Sequence, residues 1–240
     1  MPNKTLINYA HNTHYKSRKL NSKTGKEIGG FDQVREYTYD MIDKDFKEKN
    51  KNIFSKRKGA GYFLWKPYVI LDALSRASQG DIIFYCDSGC AFVGSFADYF
   101  FDICKRDEKG VILFNGAHPQ SSYTKRDGFF YMDCEEPKYW NATQLTASFH
   151  LVRKTDFAMK FYEENIKYCE DERILLDEPN ACGLPNFPDF IDNRQDQSVL
   201  TNLQVKYDVT CYEDPSQWGD FHGVREEGFS TLIFHHRSPE

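Results

Sequence analysis

The order of helical and strand-like segments predicts an α/β fold. It is read as one domain over residues 1–240, with a mainly parallel, mixed central sheet flanked by helices. Three observations carry this reading. Residues 82–86 (IIFYC) form a continuous apolar run of strand length, bounded by the turn Gln79-Gly80-Asp81, as a strand buried on both faces would be. Residues 67–75 (PYVILDALS) have helical spacing, with Pro67 at a first-turn position. Strands and helices then alternate along the chain with no internal repeat or low-complexity tract, over a length sufficient for one large core.

Taken in order, residues 5–10 (TLINYA) read as a first strand and residues 11–26 as a polar loop. Gly29-Gly30-Phe31-Asp32 marks a turn before a short strand over 33–37, and the charged stretch 43–50 reads as helix. Lys58-Gly59-Ala60-Gly61 is a break with flexible backbone. After the helix–strand unit 67–86, residues 96–104 look helical, 111–114 and 145–152 are strands, and Thr155-Asp156 cap a helix running to Cys169. Pro179, Gly183, Pro185 and Pro188 make 178–191 a loop. A helix starts at Asp196, and 205–211 and 232–234 are expected as late strands.

A net charge of −5 argues against a general nucleic-acid binder. The charge is uneven: Lys44, Lys47, Lys49, Lys51, Lys56, Arg57 and Lys58 form a basic run. That run is either a solvated face or an attraction for a phosphorylated ligand or an anionic membrane surface, so peripheral membrane contact through 44–58 stays open. No apolar stretch reaches transmembrane length and the first residues lack a signal-peptide core, which gives the expectation of a soluble, cytoplasmic protein. Seven scattered cysteines, with Cys86, Cys104 and Cys169 in apolar settings, point to reduced thiols. Most of the many Phe and Tyr side chains are expected in the core; the others can serve as platforms for sugar rings or bases.

Open α/β sheets bind ligands beyond the carboxyl ends of their strands. Asp87 follows such a strand directly, and Ser88-Gly89 after it would let a ligand approach the backbone. A carboxylate there can hold a divalent cation that neutralises a diphosphate; it can equally be a turn former or a helix cap. Other chemistries fit worse. There is no Gly-x-Ser-x-Gly elbow around Ser88, no Walker A loop and no Gly-x-Gly-x-x-Gly fingerprint, and Gly89 stands where an aspartyl-phosphate phosphatase wants a second aspartate.

The stretches 59–68 (GAGYFLWKPY) and 80–89 (GDIIFYCDSG), then 146–155 (TASFHLVRKT) and 194–200 (RQDQSVL), resemble glycosyltransferases of the GT-A type. They are most similar to the small bacterial and viral sugar transferases related to glycogenin-like and lipopolysaccharide galactosyltransferases. Pro215-Ser216-Gln217-Trp218-Gly219 and His235-His236-Arg237 extend the likeness over nearly the whole chain. The resemblance implies a Rossmann-like GT-A domain and an enzyme of polysaccharide biosynthesis. That enzyme would move a sugar from a nucleoside diphosphate donor, a uridine one, to a glycan or lipid-linked acceptor with help from Mn2+ or Mg2+.

The family's metal motif is Asp-x-Asp, whereas this chain reads Asp87-Ser88-Gly89. Asp87 then needs a distant ligand, or the metal binds weakly, or catalysis dispenses with it. By analogy a C-terminal histidine supplies the ligand, His235 ahead of His236, since neighbours on a strand face opposite ways. For the donor, Tyr9 is a candidate to stack on the base, and Lys66 and Arg57 to hold phosphate oxygens; Ser88 and Gly89 complete that set. Trp65 reads as core, and Trp218 as lining an acceptor groove or closing the core. Asp196 and Gln197 are the catalytic candidates, one as nucleophile or base and the other orienting the sugar or stabilising its charge. Asp196 could instead cap its helix, and Asp192 is a rival carboxylate. The Asp-Gln order resembles retaining members of the fold. A non-catalytic nucleotide- or carbohydrate-binding module of the same fold is the alternative that the degenerate metal motif suggests.

Overall fold

The computed structural model describes residues 2–11, 14–96, 99–221 and 231–236. Arg237 lies outside them. Its sheet has six strands in the order β2-β1-β3-β6-β5-β7. These are β1 (Lys4–Tyr9), β2 (Gln33–Tyr37), β3 (Ile82–Cys86), β5 (Val111–Pro119), β6 (Thr143–Arg153) and β7 (Cys211–Tyr212), while β4 (Cys90–Phe92) pairs separately with β8 (Ile233–His235). β1 runs parallel to β2 and β3, β6 is antiparallel to β3 and β5, and β5 is parallel to β7, so the sheet is mixed. The longer helices are α1 (Tyr15–Glu27), α2 (Trp65–Arg76), α3 (Phe100–Arg106), α4 (Asp156–Cys169) and α5 (Gln195–Tyr207). Among the described residues no helix is long and apolar enough to cross a membrane.

Alternation along β3 shows why its run is apolar at both parities. Ile82, Phe84 and Cys86 face one core, and Ile83 and Tyr85 face another. On the first side Phe84 meets Phe31, Phe92, Phe96 and Phe149. Most of these rings are fully buried, and each contributes about 1.5–3 kcal/mol relative to exposure. On the other side Val69, Ile70 and Leu74 of α2, Phe161 of α4 and Val199 and Leu203 of α5 close over the sheet. The three layers leave the carboxyl ends of β1 and β3 as one rim, where loops gather.

Two expectations change. Residues 11–26 hold helix α1, and of the predicted strand over 205–211 the first three residues end α5, which stops at Asp208 in the left-handed region (φ 49°), and only Cys211 lies in a strand, β7. The break before α2 is also more structured than expected. Residues 59–63 all have positive φ, three of them non-glycine (Ala60, Tyr62, Phe63). A left-handed turn costs roughly 1–2 kcal/mol per non-glycine residue, so the packing around it sustains that strain. Trp65 locks the turn by donating its indole N–H to the Gly59 carbonyl at 2.9 Å.

Candidate active site

Asp87 leaves β3 at the rim. Its N–H donates to the Ser148 carbonyl on β6 at 3.0 Å, and its carbonyl accepts from Cys90 N–H at 3.2 Å, so Ser88 and Gly89 form the tight turn into β4. A side chain at Gly89 would meet open space, so nothing in the protein covers that side of the turn. The Tyr85 hydroxyl donates to Asp87 Oδ1.

Lys66, in the first turn of α2, lies behind Asp87. Its ammonium sits 2.9 Å from Asp196 Oδ2 and 3.7 Å from Asp87 Oδ1, and donates to the Ala147 carbonyl at 2.9 Å. The Asp196 contact has ion-pair distance but not hydrogen-bonding alignment. Rings of Phe63, Trp65 and Tyr85 surround the ammonium at 5.3–5.9 Å from their centroids, within cation–π range.

Exposure sorts the three charges. The Asp87 side chain is 37% open, against 5% for Lys66 and 8% for Asp196, so Asp87 is the member of the cluster a ligand can reach. Burial would push the Asp87 carboxyl up, but Lys66, the Tyr85 hydroxyl and Ser148 outweigh it and hold it below the ordinary carboxylate range. For Asp196 burial wins: Lys66 offsets only part of it and Asp87 adds to it, so its carboxyl stands above that range. Burial opposes the charge on Lys66, yet the two aspartates together keep its pKa above that of an ordinary lysine. The cluster therefore presents an ionised, oriented Asp87 backed by a buried ion pair.

Beside it opens a cavity of about 320 Å³. Asn115 and His118 line it from β5, Thr146 and Ser148 from β6, Gln197 from α5 and Arg194 from the residue that precedes that helix. Asp214, Trp218 and His235 close it from the C-terminal segment. The β4–β8 pairing brings β8 here, placing His235 opposite Cys90, with the Cys90 thiol 3.3 Å from His235 Nδ1. His236 uses its backbone N–H on the Gly89 carbonyl at 3.1 Å. Gln197 donates its amide N–H to Gln144 Oε1 at 2.9 Å, which holds the amide at the cavity wall.

The sequence candidates thus divide. Asp87, Lys66 and Asp196 come together, and Gln197 and His235 line the adjoining cavity. Tyr9 is 4% exposed and one ring face is stacked on Trp65 at 3.9 Å, so a base cannot use that face. Lys66 is committed to the two aspartates. Arg57 is exposed on the turn before α2, and among the described residues no contact links it to the Asp87 cluster. Asp192 pairs with Lys58 at 3.6 Å, away from the cavity wall. Arg194, not Asp196, is the N-cap residue of α5.

The sequence singles out none of residues 115–118, Gln144 and Asp214, and gives Ser148 and Arg194 a place in the resembling blocks but no role of their own. Gly116 was the available signal. A Cβ there would lie 2.5 Å from the Gln144 carbonyl oxygen, so this rim is built on a backbone approach only glycine permits. Gly116→Ala is expected to cost about 1–3 kcal/mol by overpacking and to displace Gln144 with the Gln197 amide it holds. A urea midpoint equal to that of the parent protein would show that the rim yields freely.

No protein-family model matches the sequence, and no curated protein matches it. Solved structures do match. Mouse xyloside xylosyltransferase 1, in its apo form, aligns with a TM-score of 0.54 at 9% identity over 98% of both chains. The galactosyltransferase LgtC, solved in complex with donor and acceptor sugar analogues, aligns with a TM-score of 0.52 at 12% identity over 98% of this chain and 87% of its own. The glycosyltransferase GlyE of Streptococcus pneumoniae gives 0.50 at 15% identity, and this chain spans 55% of it. At these identities the likeness is one of architecture: the chain has the GT-A fold that these glycosyltransferases share.

Proposed function

We propose that the protein transfers a sugar from a nucleoside diphosphate donor, a uridine one, to a glycan or lipid-linked acceptor. The observation that carries this is the open, ionised carboxylate of Asp87 at the carboxyl end of β3, beside a cavity of about 320 Å³ that Gln197 lines.

Donor phosphates would lie at the Asp87 turn. Among the described residues no group of three His, Cys, Asp or Glu side chains could hold a metal ion. Asp87 and His235 can supply two ligands. This suits Mg2+ or Mn2+, which take one or two protein ligands in nucleotide sites and fill the remainder with phosphate oxygens and water. Such a cation would neutralise the leaving diphosphate. Among the described residues the Gln197 carbonyl oxygen accepts no hydrogen bond, and an amide oxygen is the group that positive charge at the sugar's reacting carbon attracts. This supports a transfer with retention, in which Gln197 faces the sugar. Asp196, buried against Lys66, holds that cation and through it Asp87, and does not reach the sugar.

The test is a nucleotide-sugar panel with and without manganese. Gln197→Ala is expected to lower kcat by about 100- to 1,000-fold, the scale of one lost transition-state contact, with the donor KM little changed. Asp87→Asn is expected to weaken donor binding itself. Donor binding without turnover under every condition would instead identify a binding module, the reading that Gly89 in the metal motif favours. No donor bound at all, with Asp87→Asn silent, would end both.

A further inference from the structure

Among the described residues, Arg194 is a cationic group of the cavity with no ion-pair partner. Arg194 stacks on the Tyr123 ring with its guanidinium carbon 3.7 Å from the centroid, and His118 packs on the same ring at 4.8 Å. The other described arginines that are not exposed, and the exposed Arg76 and Arg173 too, each reach an acid or backbone carbonyls. Arg18 reaches Glu36, Arg35 and Arg76 reach Asp72, Arg126 reaches Glu135, Arg173 reaches Asp171, and Arg153 donates to the Cys104 and Asp107 carbonyls. Among the described residues no carboxylate lies within ion-pair distance of Arg194. The described acids around it have other partners: Asp177 and Asp192 face Lys58, Asp192 acting on Arg194 only from beyond ion-pair distance, and Asp214 accepts from Ser216 N–H at 2.8 Å. A half-buried guanidinium without an anion is costly to maintain, and its planar fork matches carboxylate or phosphate oxygens.

Its place in the cavity says which molecule would bring the anion. The donor end is the Asp87 turn after β3. His118 and Arg194 line the far part of the cavity, His118 two strands across the sheet from β3 and further along it, since Pro119 pairs with Thr143 whereas Asp87 is level with Ser148. A donor sugar fills the interval between them, so the group that reaches Arg194 belongs to the second substrate.

Building on the sugar-transfer reading, we infer that Arg194 binds a negatively charged group, a carboxylate or phosphate, carried by the acceptor sugar. Tyr123 fixes the plane of the guanidinium, and Trp218 across the cavity gives the acceptor ring a face to pack on. The enzyme therefore prefers an acidic or phosphorylated sugar to a neutral one.

NMR titration of the full chain, saturated with uridine diphosphate and manganese, tests this with glucuronate, glucose 6-phosphate and glucose. At least one charged sugar is expected to bind tenfold or more tightly than glucose, and the one that does identifies the source of the anion. Arg194→Gln is expected to bring that preference below twofold with the nucleotide affinity unchanged, and Arg194→Lys to retain part of it; thermal melts of both confirm folding. Equal binding of the three sugars would overturn the inference. So would a loss of nucleotide affinity in Arg194→Gln with the sugar preference intact, which would assign Arg194 to the donor. Because binding is read at equilibrium, absence of donor turnover, which would defeat the transfer reading, is recorded separately.

Discussion

Lys66→Met is expected to destabilise the fold by about 3–5 kcal/mol, the scale of removing one partner from a buried ion pair, and to abolish donor binding at Asp87. Methionine keeps most of the volume inside the ring of Phe63, Trp65 and Tyr85 but removes the charge. Asp196, 8% exposed, then has no cation within reach among the described residues and must take up a proton or carry a buried charge. Asp87 loses the neighbour that contributes most to keeping it ionised. The double variant Lys66→Met with Asp196→Asn separates these effects. If the penalty is the orphaned carboxylate, the double variant recovers a large part of the urea midpoint while donor binding stays impaired. If the single variant melts with the parent, the ion pair is not what holds this rim together.

Lys66 also shows where reading the sequence stops. Its position between the glycine-rich break and the β3 strand suggested a phosphate ligand, but its real partner, Asp196, lies 130 residues on and is delivered by packing α2 and α5 on one face of the sheet. The β3 strand and Asp87 were legible because a strand buried on both faces has an apolar run with no other use. Helix α1 was not, because its inward face is polar and small: Ser17, Arg18, Asn21 and Gly25. Asn21 donates to Cys86 Sγ and the Cys90 carbonyl, and a Cβ at Gly25 would lie 2.3 Å from the Leu6 side chain. An amphipathic pattern cannot announce a helix whose buried face works through hydrogen bonds and close approach. The end of α5 reads as strand for the opposite reason: Val205, Tyr207, Val209 and Cys211 alternate with Lys206, Asp208 and Thr210, although the helix continues to the left-handed Asp208. Arg194 stood in a recognised block, yet its role depends on which acids have other partners, which only three dimensions reveal.

His150 makes the stability of this region depend on pH. It lies on β6 opposite Tyr85, 3% exposed, with Nδ1 2.9 Å from the Tyr162 hydroxyl and Nε2 without a hydrogen-bond partner. Burial first, and then Lys66, push its pKa down from 6.5 to about 3, against a smaller upward pull from Asp87. A base with a depressed pKa binds its proton more readily in the unfolded chain. Its contribution to stability is therefore complete above pH 6.5 and is lost as pH falls from there toward 3. The slope approaches about 1.4 kcal/mol per pH unit well below 6.5, so urea unfolding at pH 4.5 should find the protein roughly 2–3 kcal/mol weaker than at pH 7 from this group alone. His150→Gln retains a polar partner for Tyr162 and does not titrate. It is expected to lower stability at pH 7 yet flatten the loss between pH 6.5 and 4.5, above the range where ordinary carboxylates titrate. Parallel pH curves for the two proteins would sink the assignment. A flattened curve would tie acid inactivation to the neutral imidazole, because a proton on His150 would put a second buried cation near Lys66, behind the tyrosine that orients Asp87.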